Sequence, residues 1–216
     1  MRFLLFILVV AILANTNSSC KSSSPKAFCD TVCIKDTMKF SANHPLKPYF
    51  YVTANNCKAD SFVWSYSGFG ANRKMGIADL LGTTVNINKD FLTVFVKDTS
   101  YSWVIFNDCV TGRGYQVKLP FNKTAKIERK SSGINRFDPK FSVENNLVVN
   151  SDKGNVFIED MATGKRATVT FGKALDIDWD AVHQVIDSVN ITSSRAWIKV
   201  KIDNEWREIE KKIELK

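Results

Sequence analysis

The chain has 216 residues, of which 44% are apolar and 12% are aromatic. These fractions are enough to build a hydrophobic core, and they exclude a chain that is disordered throughout. The formal net charge of +8 is spread along the sequence, which suits adhesion to anionic surfaces without requiring it.

The first residues of the chain have the pattern of an export signal. Arg2 precedes an entirely apolar run over residues 3–13. A run of about eleven residues is too short to cross a hydrocarbon core as a helix. We therefore predict a cleaved signal peptide over residues 1–19. Cleavage after Ala14, which would leave Cys20 as an ordinary thiol, is the alternative.

Two serines precede Cys20, and a polar stretch over residues 21–26 follows it. This arrangement resembles the lipobox and tether of bacterial lipoproteins, although Asn17 stands where that family usually has an aliphatic residue. The resemblance implies that Cys20 is lipidated, as with palmitate, and that residues 20–28 form a tether. It also implies a location on the outer membrane or the periplasmic face of a cell envelope.

The cysteine count fits this interpretation. If Cys20 carries lipid, Cys29, Cys33, Cys57 and Cys109 remain, an even number in an oxidising compartment. Two disulfides are therefore predicted, and three pairings are possible. We prefer Cys57 with Cys109, because both lie beside similar strand-turn patterns. A zinc site at Cys29 and Cys33 is the competing interpretation, although the sequence offers no second ligand pair nearby.

Residues 29–216 are predicted to form a single all-β domain of antiparallel meanders. Short β-branched or aromatic runs alternate with turn clusters along this part of the chain. The clearest hairpin has Asp203-Asn204 at its turn, because both residues tolerate the positive φ of a tight turn. The predicted strands include 62–66, 91–96, 103–106, 115–119, 147–149, 156–158, 167–171 and 196–202.

At most one short helix is expected, near residues 178–188. Apolar residues there recur at three- and four-residue steps, and Asp178 could cap the helix. A strand over residues 185–191 is the competing interpretation.

Two segments, 104–119 and 156–171, match over sixteen positions. Each is a strand, an Asp, two residues, Thr-Gly-Arg or Thr-Gly-Lys, and then a second strand. The glycine supplies a turn conformation that other residues resist, and the Asp and Thr side chains can bond to turn amides. Both segments are therefore predicted to form antiparallel hairpins.

This strand-Asp-x-x-Thr-Gly-Lys-strand pattern resembles the outer hairpin of a β-propeller blade. Residues 138–142 and 147–149 precede the second copy as inner strands would, and residues 50–64 are a weaker third copy. A period of about fifty residues lies in the propeller range, but the chain has room for only about four units. The resemblance implies a partial or minimal propeller, or an open stack or sandwich of propeller-like meanders.

One candidate metal site lies near the predicted helix. Asp176, Asp178 and Asp180 have the spacing of an oxygen-ligand calcium loop. Ala181 stands where that loop requires glycine, so helix capping and solvation are the alternative. No cofactor other than this calcium is suggested.

A basic segment over residues 121–140 is a candidate binding site for an anionic glycan or lipid headgroup. Its alternative is a solvated loop between the two repeats. Nucleic acid is not expected as the partner of an exported protein. The candidate binding residues are Lys123, Lys126, Arg129 and Lys130.

Alternation places Phe62, Trp64 and Tyr66 on one strand face, which predicts core packing rather than stacking on sugars. The two histidines, His44 and His183, lie near no nucleophile motif, so no catalytic residue is assigned.

The sequence thus predicts a non-enzymatic, lipid-anchored envelope protein that binds protein or glycan. A hydrolase or accessory protein acting on envelope polysaccharide, with carboxylates that folding brings together, is the alternative. A secreted chain without lipid also stays open, since residues 122–124 and 190–192 match the N-glycosylation pattern.

Overall fold

The computed structural model describes residues 33–171 and 182–216. Strands dominate these ranges, and the predicted all-β fold class is confirmed. The strands are β1 (Met38–Ser41), β2 (Tyr49–Asn55), β3 (Lys58–Ser65), β4 (Arg73–Gly76), β5 (Ile87–Lys97), β6 (Tyr101–Asp108), β7 (Gly114–Pro120), β8 (Glu128–Ile134), β9 (Phe141–Val143), β10 (Leu147–Asp152), β11 (Asn155–Asp160), β12 (Arg166–Val169), β13 (Ile186–Ile191), β14 (Arg195–Ile202) and β15 (Glu205–Lys212).

The strands form three open sheets. A four-stranded first sheet has the order β1-β2-β3-β4, and a seven-stranded central sheet has the order β12-β11-β10-β8-β7-β6-β5. A four-stranded third sheet has the order β15-β14-β13-β9. Neighbouring strands are antiparallel, as predicted, except that β9 and β13 are parallel.

The first and third sheets cover the same face of the central sheet, each over one half of it. Val104 and Val117 of the central sheet pack with Trp64 and its neighbours in the first sheet. Val149 and Ile158 pack into a second cluster built with the third sheet. Because successive strand residues face opposite sides, the residues that alternate with these four face the other side of the central sheet.

The aromatic residues predicted for the core are in the core. Phe62 and Trp64 are almost fully buried, and Tyr66 packs at the edge of the same cluster. Trp64 also donates a hydrogen bond from Nε1 to Pro120 O at 2.9 Å, which connects the first sheet to the central one.

The helical prediction needs two corrections. A short helix α1 (Ile77–Leu81), which the sequence analysis missed, buries Ile77 and ends at Gly82 with φ 72°. Near the predicted site, the described helix α2 (Val182–Val185) is followed directly by β13, so the competing strand forms from Ile186 onward. The β-branched residues of β13 pair with β14, and this pairing overrides the helical spacing.

The two repeated segments form hairpins with matching turns. In the first, Thr111 N and Oγ1 donate to Asp108 Oδ2 at 2.9 and 2.7 Å. In the second, Thr163 N and Oγ1 donate to Asp160 Oδ1 at 2.6 and 2.8 Å. Glycines with φ 72° and 73° follow the two threonines. The same side-chain chemistry therefore builds both turns.

The surroundings of the hairpins differ from the blade arrangement that the resemblance implied. Both hairpins belong to one continuous sheet, through the contact of β8 with β10. The expected inner strand at Phe141–Val143 instead pairs with β13 in the third sheet. The apolar residues of β9 and β13 thereby join the core under β10 and β11, as Phe141 and Val189 do.

The preferred cysteine pairing is wrong, because Cys57 is bonded to Cys33. Cys57 lies at the tight turn between β2 and β3, where it has φ 65°. The incoming chain runs beside this turn, with Ile34 N donating to Cys57 O at 3.1 Å, and so brings Cys33 within reach. A zinc site at Cys33 is excluded by the same bond. Cys109 is disulfide-bonded as well, to a partner outside the described residues.

We predict that Gly114→Ala lowers the free energy of unfolding by about 3 kcal/mol, because a Cβ there would lie 2.1 Å from Gly133 O. Gly82→Ala is the matched control: its Cβ meets open space, and its positive φ costs about 1 kcal/mol. Urea denaturation measures both. Equal losses would show that β7 and β8 tolerate a side chain between them.

Asp160→Asn tests the second hairpin turn. Burial acts to raise the pKa of Asp160, but hydrogen bonds from Thr163, Asn146 and Ala162 outweigh it and leave the pKa below its ordinary value. A lowered folded-state pKa stabilises the fold above the unfolded-state value, and this contribution disappears as the pH falls through the folded-state pKa.

We therefore expect Asp160→Asn to lower the free energy of unfolding by about 1 kcal/mol at neutral pH, with the deficit shrinking below about pH 4. Urea titrations at neutral and acidic pH measure the deficit. Asp36→Asn, at an exposed residue, changes the net charge equally and should have little effect at either pH. A deficit that does not depend on pH would contradict this account of the turn.

Candidate functional site

A cleft of about 270 Å³ lies on the face of the central sheet away from the other two sheets. It opens where β8 meets β10, because these strands pair only through Ile134 with Val149 and Gly133 with Asn150. Its lining residues come from β6, β8, β10, β11 and β12. The cleft therefore lies across the seam between the two halves of the sheet.

Side chains reinforce this seam where backbone pairing is sparse. Gln116 Nε2 donates to Val149 O at 2.6 Å, reaching from β7 to β10. Ser132 Oγ donates to Ser151 O across the same gap. Two carbonyl groups of β10 are thus satisfied by side chains from the other half of the sheet, which fixes the position of the cleft's walls.

A network of four charged side chains crosses the cleft. Lys118 Nζ lies 2.8 Å from Glu159 Oε1 and 3.9 Å from Glu128 Oε1. Arg166 Nε lies 2.6 Å from Glu159 Oε2, and its Nη2 lies 3.6 Å from Glu128 Oε2. Each cation thus contacts both carboxylates. The hydrogen bond that Arg166 donates to Glu159 raises the pKa of Arg166, and this effect outweighs that of its partial burial.

The second hairpin places Glu159 and Arg166 directly opposite each other on β11 and β12. The backbone of Arg166 is held on its outer side by Lys216, which exchanges two hydrogen bonds of 2.9 and 3.1 Å with it. The Asp160 turn fixes the other end of the pair. The backbone at Arg166 is therefore held from both sides, and this fixes the guanidinium that lies closest to the buried carboxylate of Glu159.

Aromatic rings lie beside this network. The ammonium of Lys118 lies 4.4 Å from the ring centre of Tyr101 and 5.4 Å from that of Trp103, within the range of cation–π attraction. Tyr101 donates its hydroxyl hydrogen to Met161 O at 2.8 Å. Burial raises the pKa of Tyr101, and the charge of Glu159 adds to the effect.

Two hydrogen-bond donors at the cleft have no partner among the residues that the structure describes. They are Nε1 of Trp103 and Nδ2 of Asn150, and both residues line the cleft while being 2% and 6% exposed. Buried donors are normally paired, so these two need an explanation. Phe157 also lines the cleft and keeps 37% of its surface exposed.

The predicted basic segment is not a loop along its whole length, because Glu128–Ile134 form β8 in the middle of the central sheet. Of the four candidate residues, Lys130 lines the cleft. Arg129 instead donates to Leu80 O. Alternation along β8 sends these two neighbours to opposite faces.

The remaining two basic candidates lie before β8. The Lys123 ammonium is 5.6 Å from the ring centre of Phe69, and Lys126 is exposed. The structure therefore does not bring the four basic residues together.

Several other candidates lie outside the described residues, so the structure does not place them. Among the residues that it does describe, no group of three metal-binding side chains occurs. The candidates outside those ranges are Cys20, Cys29, Asp176, Asp178 and Asp180.

The two histidines have structural contacts. His44 Nδ1 accepts a hydrogen bond from Leu46 N at 3.2 Å within a turn. His183 Nε2 lies 3.3 Å from Asp138 Oδ2, and its ring stacks on Phe141 with centres 5.0 Å apart. Neither histidine lines the cleft.

Sequence reasoning missed the charge network, yet the repeat contains a trace of it. When the two hairpins are aligned on their Asp-x-x-Thr-Gly turns, Glu159 and Arg166 fall where the first copy has Asn107 and Gly114. Both are cross-strand pairs in the structure. A charged pair that only one copy carries is the signal that could have identified these residues.

No protein-family model matches the chain, and no curated protein matches it either. In the part of the chain that the structure describes, no helix is both long and apolar enough to cross a membrane.

A double-mutant cycle on Lys118→Met and Glu159→Gln tests the network. We expect Glu159→Gln alone to lower the free energy of unfolding by about 3 kcal/mol, because it leaves the largely buried ammonium poorly paired. The double variant should lose less than the sum of the single variants. The exposed pair of Arg195 and Glu210, 2.6 Å apart, is the control and should couple much more weakly.

Equal coupling in the buried and exposed pairs would contradict a structural role for the network. Urea denaturation of the two sets of variants at one ionic strength provides the measurement.

Proposed function

We propose that this protein is an exported, lipid-anchored binding module of a bacterial cell envelope, and that the cleft of the central sheet is its binding site. The observation that carries the proposal is a contrast at the cleft, within the described part of the chain, between charged groups that are paired and buried hydrogen-bond donors that are not. The carboxylates are neutralised by Lys118 and Arg166, whereas the donors on Trp103 and Asn150 have no partner within the described ranges. Such a site is suited to hold a ligand that accepts hydrogen bonds.

Binding is favoured over hydrolysis by the environment of the two carboxylates. A two-carboxylate glycoside hydrolase needs one carboxyl group that gives up a proton and another that attacks or activates water. Both oxygens of Glu159 are occupied by cations at 2.8 and 2.6 Å. That carboxylate is therefore committed to the ion-pair network.

A hydrolase acting on envelope polysaccharide is the second candidate, supported by one observation. Glu128 lies in the same cleft as Glu159, its side chain is 39% exposed, and its contacts with cations are longer. Glu128→Gln distinguishes the two candidates, because it would abolish hydrolysis of a polysaccharide while leaving binding by the neighbouring donors.

The cysteine arrangement supports the lipid anchor. Cys33 and Cys57 are bonded to each other, and Cys109 is also disulfide-bonded. The proposal pairs Cys29 with Cys109, so that Cys20 is the cysteine assigned to the lipid. That is the cysteine at which the N-terminal sequence resembles a lipoprotein.

We expect the mature protein, expressed in a bacterial host, to fractionate with membranes and to start at a Cys20 that carries fatty acids. Mass spectrometry of the N-terminal peptide measures the modification. Cys20→Ser should release the protein into the soluble fraction while leaving its co-sedimentation with purified envelope polysaccharide intact. Ser19→Ala, beside the modified residue, is the control and should remain in the membrane.

An unmodified N-terminus upstream of Cys20, or Cys20 bonded to another cysteine, would overturn the anchor. Failure of the soluble Cys20→Ser protein to sediment with any envelope fraction would overturn the binding role.

A further inference from the structure

We infer that the cleft binds a single carboxylate group carried on a sugar ring, as in a uronic acid residue of an envelope polysaccharide. This inference rests on the proposed binding function and specifies its ligand. It follows from hydrogen-bonding capacity, charge, size and surface character, each of which narrows the ligand further.

The cleft can donate further hydrogen bonds. The acceptors in the cleft that carry charge are Glu128 and Glu159, and both already face Lys118 and Arg166. The unused capacity consists of donors, namely the indole N–H of Trp103 and the amide Nδ2 of Asn150. Because a ligand must supply what the site lacks, it has to present acceptor oxygens.

The charge balance specifies one negative charge. Three cations, Lys118, Lys130 and Arg166, lie in or beside the cleft with two carboxylates. Lys130 has no ion-pair partner among the described residues, so its ammonium is the uncompensated charge. One unpaired cation matches a monoanionic carboxylate, whereas a phosphate ester carries nearly two charges and is usually held by several cations.

Size and surface character specify the group that carries the carboxylate. A volume of about 270 Å³ is slightly below the range of drug-sized ligand pockets, which fits one ring rather than an extended chain. Phe157, which is partly exposed, adds an apolar ring surface to a lining that combines charged and polar side chains with Val148, Ile158 and Ala167. A sugar ring with a carboxylate combines an apolar face with acceptor oxygens, and so matches both wall types.

The test is isothermal titration calorimetry of the soluble Cys20→Ser full chain with three probes: glucuronate, glucose and glucose 6-phosphate. We expect glucuronate to bind, and the other two to bind at least about tenfold more weakly. Binding of glucuronate should weaken as sodium chloride is added, because salt screens the contact with Lys130. This measurement needs no substitution within the cleft.

Two variants locate the binding. Lys130→Gln should weaken glucuronate binding at least about tenfold, whereas Lys126→Gln makes the same charge change at an exposed residue outside the cleft and should leave it unchanged. Trp103→Phe keeps an aromatic ring but removes the N–H donor together with the five-membered ring of the indole, so it should weaken binding severalfold. Because this variant loses no hydrogen bond to a described residue, it is expected to fold, and urea denaturation measures the cost of the lost ring volume.

Glucose binding as tightly as glucuronate, or glucuronate binding that ignores Lys130→Gln, would overturn the inference. So would a complete absence of glucuronate binding. If glucuronate fails but the soluble protein still sediments with envelope polysaccharide in a manner that Trp103→Phe weakens, the ligand class is wrong and the proposed function stands. If sedimentation fails too, the proposed function also falls.

Discussion

The seam between β8 and β10 is the constraint on which the cleft depends. Backbone pairing there is limited to two residue pairs, so the two halves of the central sheet are joined mainly by side chains. Gln116 and Ser132 supply hydrogen bonds across the seam, and Lys118 reaches from β7 to Glu159 on β11. A sheet that was fully paired at this position would have no room for a ligand between its strands.

Placing an ion-pair network in this gap has an energetic consequence. Removing charges from water costs several kcal/mol for each ion, and the mutual attraction offsets this only when the geometry is good. Glu159 meets that condition, because its two oxygens contact different cations at 2.8 and 2.6 Å. The ion pairs therefore fix the positions of the charged side chains, and they hold Lys118 against the rings of Tyr101 and Trp103.

Features that depend on neighbouring residues in the sequence were predictable. The hairpin at Asp203-Asn204 forms with φ values of 54° and 64°, as residues that tolerate positive φ allow. Alternation in 62–66 placed Phe62 and Trp64 correctly in the core. In each case the decisive interactions lie within a few residues of one another, so a single sequence window contains them.

Features that depend on distant partners were not predictable. β8 carries few apolar residues and lacks a clear strand pattern, yet it is central because Gly133 allows the close approach of Gly114. The bond between Cys33 and Cys57 depends on where the incoming chain runs beside the first sheet. The charge network likewise draws its members from four strands, and only Glu159 and Arg166 belong to one local hairpin.

The two hairpins show how a repeated scaffold can carry a site in only one of its copies. Their turns are built by the same hydrogen bonds, so the turn chemistry serves the fold. They differ at the adjacent cross-strand pair: Asn107 and Gly114 in one, Glu159 and Arg166 in the other.

In the first hairpin, this pair packs against neighbouring residues. Asn135 Nδ2 donates to Asn107 Oδ1 at 2.5 Å, and Gly114 lies against Gly133. The Glu159 copy instead faces the cleft and the cations that cross it. Since the backbone pairing is common to both, the difference lies in the side chains. The first pair closes the sheet against β8, and the second forms part of the wall of an open site.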